Sequence, residues 1–158
     1  MQETSGRVKR PIQAAKGFKG LLAWQKADEL ASLVFNTLRK LPPDQRWLAT
    51  QGIRAAVSVP ANIAEGHGRG SLGDYLRFLD IARGSLAELE YYIHFLSKER
   101  LISKDEAEGL DILRIETGRL LFGLWQSTKS KTKDGWDHSG AVVRDECVPY
   151  TVDDQTEE

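Results

Sequence analysis

Residues 72–98 constrain the fold of this chain more than any other stretch, because their apolar side chains recur at alternating steps of four and three. The residues of this stripe are Tyr75, Leu79, Ala82, Leu86, Leu89, Ile93 and Leu96. Such spacing places them on one face of an α-helix, and about 24 residues give that face a length on the order of 36 Å. A seam this long needs other helices to cover it. The stretch therefore predicts a helical bundle.

Three more segments carry a helical period. Together with the stretch 72–98, they predict four helices that span about 22–40, 45–66, 72–98 and 104–126. Two of them begin at a serine: Ser71 with Asp74, and Ser103 with Glu106, match the capping box, in which a helix start is bonded reciprocally by side chains and backbone. Gly66 suits a helix end. Short joints favour antiparallel neighbours, so the sequence predicts an all-α protein, an up-down-up-down antiparallel four-helix bundle.

The bundle is expected to span residues 21–126, and its two flanks differ in charge. Residues 1–20 hold five basic side chains and one acidic, whereas residues 127–158 hold four basic and eight acidic. The basic side chains of the first flank are Arg7, Lys9, Arg10, Lys16 and Lys19. We expect a flexible basic arm at the N-terminus and a polar, acidic, disordered tail at the C-terminus.

Length and composition exclude several classes of protein. A chain of 158 residues suits one domain with a single core. No apolar run approaches the roughly 20 residues that a membrane span needs, and residues 1–6 lack the apolar core of a secretory signal, so we expect no membrane partner. The one cysteine, Cys147, cannot form an internal disulfide, which fits a reducing compartment. We expect the protein in the cytoplasm.

The glycine-rich stretch from Gly68 to Gly73 matches the pattern G-x-G-x-x-G, which suggests a phosphate-binding loop. A dinucleotide fingerprint also needs a strand before the glycines and a second strand within about 30 residues. Residues 74–126 instead show two helical periods. A P-loop needs a lysine before its serine or threonine, and here Gly70 is followed directly by Ser71. The stretch is predicted to be a corner between two helices.

No other constellation predicts catalysis or metal binding. The three histidines and the cysteine stand at His67, His94, His138 and Cys147, without the spacing of a zinc site. A di-iron bundle needs Glu-x-x-His on two helices, whereas Glu90 and His94 are four apart and have no counterpart. We expect no enzyme activity, no cofactor and no metal.

Three ordered blocks give the chain a family resemblance: Leu22–Ala27 (LAWQKA), Arg54–Arg69 (RAAVSVPANIAEGHGR) and Phe78–Glu90 (FLDIARGSLAELE). They resemble the small four-helix-bundle proteins encoded in intervening sequences of 23S ribosomal RNA genes in bacteria. The accessory protein of diversity-generating retroelements is similar to the same group. The resemblance covers about residues 20–126. It implies a homo-oligomer, a pentamer, without catalytic activity, associated with structured RNA or with a reverse transcriptase and its template.

Candidate nucleic-acid-binding residues follow from the need for long cationic side chains to reach phosphates. They are Arg54, Arg69, Arg77 and Arg83 on the bundle, with Arg7, Lys9, Arg10, Lys16 and Lys19 in the arm. Arg77 and Arg83 are close in sequence to Asp74 and Asp80, which favours ion pairs. Arg69 has no acid within three residues and is the better candidate.

An alternative function is a protein-interaction scaffold that does not bind nucleic acid. Beside the main stripe of the third helix runs a second line, Phe78, Ser85 and Tyr92, which makes its apolar face wide. Phe78, Tyr92 and Trp24 are the predicted oligomer interface. The near-neutral charge of the bundle favours this alternative, whereas the basic arm favours nucleic-acid binding.

Overall fold

A computed structural model of the protein describes residues 17–133, and side chains to Thr132. The described chain begins with a 3-10 turn, Gly17–Gly20, followed by four α-helices. These are α1 (Leu22–Leu38), α2 (Arg46–His67), α3 (Leu72–Lys98) and α4 (Lys104–Lys133). A second 3-10 turn, Pro43–Gln45, leads into α2. The described residues contain no strand, so the predicted all-α class is confirmed.

The helices form an antiparallel bundle in which each packs on two neighbours. α2 lies against α1 and α3, and α4 lies against α3 and α1. Ion pairs show the opposite directions of α1 and α4, because Lys26 near the start of α1 pairs with Glu116 whereas Lys40, just past the end of α1, pairs with the earlier Glu106. The predicted up-down-up-down arrangement is confirmed. None of the described helices is apolar enough over enough length to cross a bilayer.

The stripe on α3 forms the centre of the core. Leu79, Leu89 and Leu96 are at most 1% exposed. Burial of each such side chain stabilises the fold by about 1.5–3 kcal/mol. Because the seam is continuous, its ends coincide with the ends of α3, and the bounds predicted for this helix match the observed ones.

Other predicted bounds differ from the structure. α1 ends at Leu38, two residues before the predicted end at 40, and α2 covers 46–67 instead of 45–66. α4 continues to Lys133, seven residues beyond the predicted end at 126. Its buried stripe goes on through Thr128, whose hydroxyl donates to the carbonyl oxygen of Leu124 at 2.8 Å and so can be buried. The remaining parts of the predicted arm and tail, residues 1–16 and 134–158, lie outside the described residues.

Both predicted serine caps are present, and the one at Ser103 has the full reciprocal capping box. The Ser71 hydroxyl accepts a hydrogen bond from the Asp74 N–H at 3.1 Å, which fixes the start of α3. At the start of α4 the bonding is reciprocal, because Ser103 Oγ accepts from the Glu106 N–H and Glu106 Oε2 accepts from the Ser103 N–H. Each cap satisfies backbone donors that a helix start otherwise leaves unpaired.

Two glycines of α2 allow close approach of neighbouring helices. A Cβ on Gly66 would lie 2.7 Å from Phe78 Cβ, and a Cβ on Gly52 would lie 2.7 Å from Leu38 Cδ1 and 3.8 Å from Tyr92 Cβ. Gly66 therefore does not end the helix as predicted. It is a buried contact point, and α2 runs on to His67 with Gly68 as its C-cap.

Between the two glycines, a chain of polar groups joins α2 to α3. Asn62 Nδ2 donates to Ser58 Oγ at 2.9 Å, and the hydroxyls of Ser58 and Ser85 are 2.9 Å apart. Ser85 Oγ in turn donates to the carbonyl oxygen of Ile81 at 3.0 Å. The contact between Ser58 and Ser85 is a direct side-chain hydrogen bond between the two helices. The hydroxyls of Ser58 and Ser85 both have hydrogen-bond partners, so these polar groups are tolerated at a partly buried interface.

Candidate nucleic-acid interface

The corner between α2 and α3 holds two arginines against one aromatic ring. The guanidinium carbon of Arg69 lies 4.8 Å from the centroid of the Phe78 ring, and that of Arg77 lies 4.5 Å from it. Phe78 itself is 6% exposed because its base packs on Gly66. The ring is thereby fixed by the core, and it positions two cations that are themselves exposed to solvent.

Each of these arginines also has an acidic neighbour. Arg69 has no acid within three residues, as the sequence shows, but it pairs with Glu65 four residues earlier and so is not unpaired. The carboxylate of Glu65 accepts a hydrogen bond from this guanidinium. Arg77 lies 4.0 Å from Asp74, as its spacing predicted. Exposed pairs of this kind contribute about 0–1 kcal/mol, so an incoming phosphate can replace the carboxylate.

A second cation–aromatic cluster joins α3 to α4. The guanidinium carbon of Arg83 is 4.9 Å from the Trp125 ring centroid and 5.7 Å from that of Phe122. The two rings stack at 6.1 Å with an interplanar angle of 14°. Lys129 adds a second cation, its Nζ lying 4.5 Å from the Trp125 centroid. Arg83 also pairs with Asp80 at 3.0 Å.

We refer to these two clusters together as the basic surface, made of Arg69, Arg77, Phe78, Arg83, Phe122, Trp125 and Lys129. Arg77 and Arg83 are six residues apart, which corresponds to about 9 Å along α3 and about 120° around it. The clusters therefore lie on either side of the exposed face of the first half of α3. The half of α4 that adjoins them, residues 117–133, carries four basic side chains and no acidic one.

Sequence reasoning missed three members of this surface. Phe122, Trp125 and Lys129 were not among the predicted site residues. Trp125 and Lys129 are one helical turn apart, and the absence of acids between Glu116 and Asp134 is visible in the sequence. Those two signals predict a basic stripe once the helix is known to continue past 126.

The other predicted cations are not members of the basic surface as defined above. Arg54 and Lys19 are exposed, and neither has an ion-pair partner among the described residues. The remaining basic residues of the arm, Arg7, Lys9, Arg10 and Lys16, lie outside the described segment.

The predicted oligomer-interface residues have neighbours inside one chain. The Trp24 ring contacts Phe18 edge to face, with centroids 5.2 Å apart, and so attaches the first 3-10 turn to α1. Phe78 is nearly buried, and Tyr92 is partly buried against the core beside Gly52. The wide face of α3 is thus covered to a large extent by α2.

The opposite ends of α3 and α4 enclose a groove of different character. It has a volume of about 590 Å³ and lies between the second half of α3 and the first half of α4. We call it the acidic groove; its lining includes Glu90, His94, Lys98, Glu108, Asp111, Ile112 and Ile115. Arg114, whose side chain is 15% exposed, bridges Glu90 at 3.1 Å and Asp111 at 2.7 Å. The isoleucines are 61% and 43% exposed.

Two titratable side chains, Lys26 of α1 and Glu106 of α4, have pKa values shifted from the ordinary ones. The backbone hydrogen bond from Ser103 lowers the pKa of Glu106, with a smaller contribution from Lys40. The hydrogen bond to Glu29 raises the pKa of Lys26. Both shifts belong to surface ion pairs and a helix cap. Within residues 17–132, no group of three or more His, Cys, Asp or Glu side chains is arranged to hold a metal ion.

Comparison with known proteins places the bundle in a family. The family model for the 23S rRNA-intervening sequence protein matches residues 19–123. No curated protein matches the sequence. A crystal structure from Bacteroides thetaiotaomicron VPI-5482, described as a protein with unknown function from the S23 ribosomal protein family, is similar at 25% identity with a TM-score of 0.63. The match covers 66% of this chain and 99% of that one. This chain belongs to the 23S rRNA-intervening sequence protein family.

Proposed function

We propose that this protein is a non-enzymatic, homo-oligomeric accessory protein of the cytoplasm that binds structured RNA through the basic surface. The single observation that carries the proposal is the stacking of Arg83 and Lys129 on Trp125. Aromatic rings hold the two cations in place, so less side-chain freedom is lost when a phosphate binds. The family's name, which refers to 23S rRNA, agrees with an RNA ligand.

Charge distribution supports this location on the bundle. Net charge is −1 over the whole chain, so non-specific attraction to a polyanion is weak. Binding must therefore come from a local excess of cations. Such an excess exists in residues 117–133, next to Arg83. The phosphate backbone dominates nucleic-acid affinity, and cations with this spacing are suited to contact it.

Fluorescence anisotropy with a labelled RNA stem–loop tests the proposal. With about four phosphate contacts, a rise from 50 to 200 mM salt should weaken binding about 50- to 150-fold. The double variant R83A/K129A should lower both the affinity and the salt dependence. A matched control, K98A/K104A, removes two exposed lysines from the opposite end of the bundle and the same charge. It should leave both quantities nearly unchanged.

The outcomes decide between binding at this surface and other modes. If the two double variants weaken binding equally, attraction is a property of net charge and the basic surface has no special role. If the unaltered chain does not bind RNA even at 50 mM salt, the RNA hypothesis fails. A double-stranded RNA of the same length and an unstructured strand of the same composition show whether structure in the RNA is needed.

A second candidate function is a protein-interaction scaffold, and the exposure of Ile112 and Ile115 beside the acidic groove favours it. Large apolar side chains that remain exposed in one chain are suited to contact another. The resemblance implies a pentamer, and a reverse transcriptase with its template is the further partner that it suggests. Sedimentation equilibrium gives the number of subunits. If binding to the partner is insensitive to salt and lost in I112S/I115S, the scaffold replaces the RNA-binding hypothesis.

A further inference from the structure

The charge of residues 134–158 is opposite to that of the surface beside which they begin. This segment contains eight acidic side chains and one basic, Arg144. It follows Lys133, the last residue of α4. The same end of α4 carries Trp125 and Lys129, and the basic cluster on α3 lies against it. An acidic segment thus starts at the basic end of the bundle.

We infer that residues 134–158 dock on the basic surface of the same chain and compete there with RNA. The part that concerns RNA rests on the proposed function, whereas the docking does not. The acidic side chains are in two groups: Asp134, Asp137, Asp145 and Glu146 come first, followed by Asp153, Asp154, Glu157 and Glu158. Carboxylates supply the same ligand chemistry as phosphate oxygens for the guanidinium groups of the surface.

The segment is long enough to reach every cation of the basic surface. Trp125 lies eight residues before Lys133, which corresponds to about 12 Å along the helix. Arg77 is about 9 Å nearer the start of α3 than Arg83, at the end of the bundle where α4 ends. A random coil of 25 residues has a root-mean-square end-to-end distance of roughly 25–30 Å, and a segment with that reach brings its acids to both clusters.

Covalent attachment makes weak contacts sufficient. A tethered segment of this length has an effective concentration on the order of millimolar at the surface beside it. Individual exposed ion pairs are weak, but several acids act together on four cations arranged as two pairs, one at Phe78 and one at Trp125. RNA carries more charge and replaces the segment when it binds. Salt weakens this intramolecular contact, because exposed charges farther apart than the Debye length, about 8 Å at physiological ionic strength, are largely screened from each other.

The test uses the full chain with charges altered and length unchanged. The tail variant is D145N/E146Q/D153N/D154N. The control variant removes four exposed acids from the opposite end, none with an ion-pair partner among the described residues: D44N/E99Q/D105N/E108Q. Both variants therefore change the net charge by the same amount.

The first readout needs no RNA. In two-dimensional NMR spectra, the indole N–H of Trp125 should shift between the unaltered chain and the tail variant. Trp47, which is 65% exposed near the opposite end, is the internal reference and should not shift. The control variant should leave Trp125 unchanged. Spectra at 50 µM and 500 µM protein should agree if the contact is within one chain.

The second readout is RNA affinity at 50 mM salt. Docking predicts that the tail variant binds about three- to tenfold tighter than the unaltered chain, whereas the control variant gains less than twofold. An unchanged Trp125 signal in the tail variant overturns the docking. A Trp125 shift that depends on protein concentration overturns it as well, because the segment then contacts a second copy. If the Trp125 shift is present and no variant binds RNA, the docking stands and the proposed function fails.

Discussion

The two halves of α4 differ sharply in charge although they belong to one continuous helix. Residues 104–116 contain five acidic and two basic side chains, whereas residues 117–133 contain four basic and no acidic ones. The first half borders the acidic groove and the second borders the basic surface. A net charge of −1 therefore describes neither half, and it predicts little about which ligands the protein attracts.

Part of this difference has a simple structural cause. Acids near a helix N-terminus and cations near its C-terminus each contribute about 0.3–1 kcal/mol through the helix dipole. That effect is confined to the first and last turns, so it accounts for Glu106 and for the lysines from 129 onward. It does not account for Arg83, which lies on another helix and stacks on Trp125. The contact between helices is the part of the difference that suggests a function.

The largest expected effect concerns the close contact between Gly66 of α2 and Phe78 of α3, which positions part of the basic surface. In Gly66→Ala, the new Cβ would lie 2.7 Å from Phe78 Cβ and 2.9 Å from Tyr75 Cδ2, so α2 and α3 must separate. We expect a loss of about 1–3 kcal/mol in the free energy of unfolding, measured by urea denaturation. Gly84→Ala is the matched control, because nothing lies within 4 Å of its Cβ position. It should stabilise α3 by about 0.5–1 kcal/mol; equal losses in both variants would contradict the close approach at Gly66.

The next effect concerns the start of the acidic half. Ser103→Ala removes the acceptor of the Glu106 N–H and should cost about 1 kcal/mol in the free energy of unfolding. Ser103→Thr keeps a hydroxyl and is the control, with a loss of a few tenths of a kcal/mol at most. If alanine and threonine behave alike, the cap does not stabilise α4.

On α3, next to the basic half of α4, Arg83→Lys keeps the charge but removes the planar group that stacks on Trp125. RNA affinity should fall about two- to fivefold, as expected for an exposed cation–π contact, with the salt dependence unchanged. Arg119→Lys, an exposed change on the same half of α4, should have no effect in the same anisotropy titration. A loss in both would show that any arginine there contributes through hydrogen bonding alone.

A smaller effect is the pH dependence of the acidic half. Because the pKa of Glu106 is lowered from its ordinary value of 4.5, its carboxylate stabilises the fold above that pH. The contribution is lost as the pH falls through the lowered pKa. Urea denaturation of the unaltered chain at pH 7 and pH 3 should therefore show a larger change than that of Glu106→Gln. Equal changes in the two proteins would mean that the cap is insensitive to the charge of this side chain.

The smallest expected effect on stability is that of Ile112→Ser. Its side chain is 61% exposed, so the free energy of unfolding should change by less than about 0.5 kcal/mol. The same variant is informative for assembly. A change in sedimentation coefficient without a change in stability would identify this side of α4 as a subunit contact, whereas Leu113→Ser, at a position 9% exposed, should unfold the chain instead.

The sequence predicts the framework of the molecule better than its surface. The seam on α3 and the serines at 71 and 103 define helices from local spacing alone, and the structure has them where they were expected. Thr128 was read as polar and so as the beginning of a tail, because the hydrogen bond that allows its burial is formed only within a helix. Gly66 was read as a helix end for a similar reason: its contact with Phe78 depends on another helix.

The basic surface shows the same limit. Arg69, Arg77 and Arg83 were predicted from charge and from the resemblance. The aromatic partners of Arg83, Phe122 and Trp125, lie on α4 about 40 residues away in sequence, and no local spacing connects them to it. Contacts between distant segments depend on the register of packed helices, which periodicity does not specify. The site was therefore predicted in part, as cations without the rings that hold them.

That register is itself encoded at the interface of α2 and α3. A heptad seam alone allows one helix to slide along another by seven residues at little cost. Here two glycines of α2, fourteen residues apart, receive Phe78 and Tyr92, which are also fourteen apart, and the Ser58–Ser85 hydrogen bond lies between them. A slip of one heptad would put Phe78 against Val59 and leave the serine hydroxyls unpaired. These contacts between α2 and α3 therefore fix the register of the two helices, so the sequence of the short corner that joins them can change without misaligning the bundle.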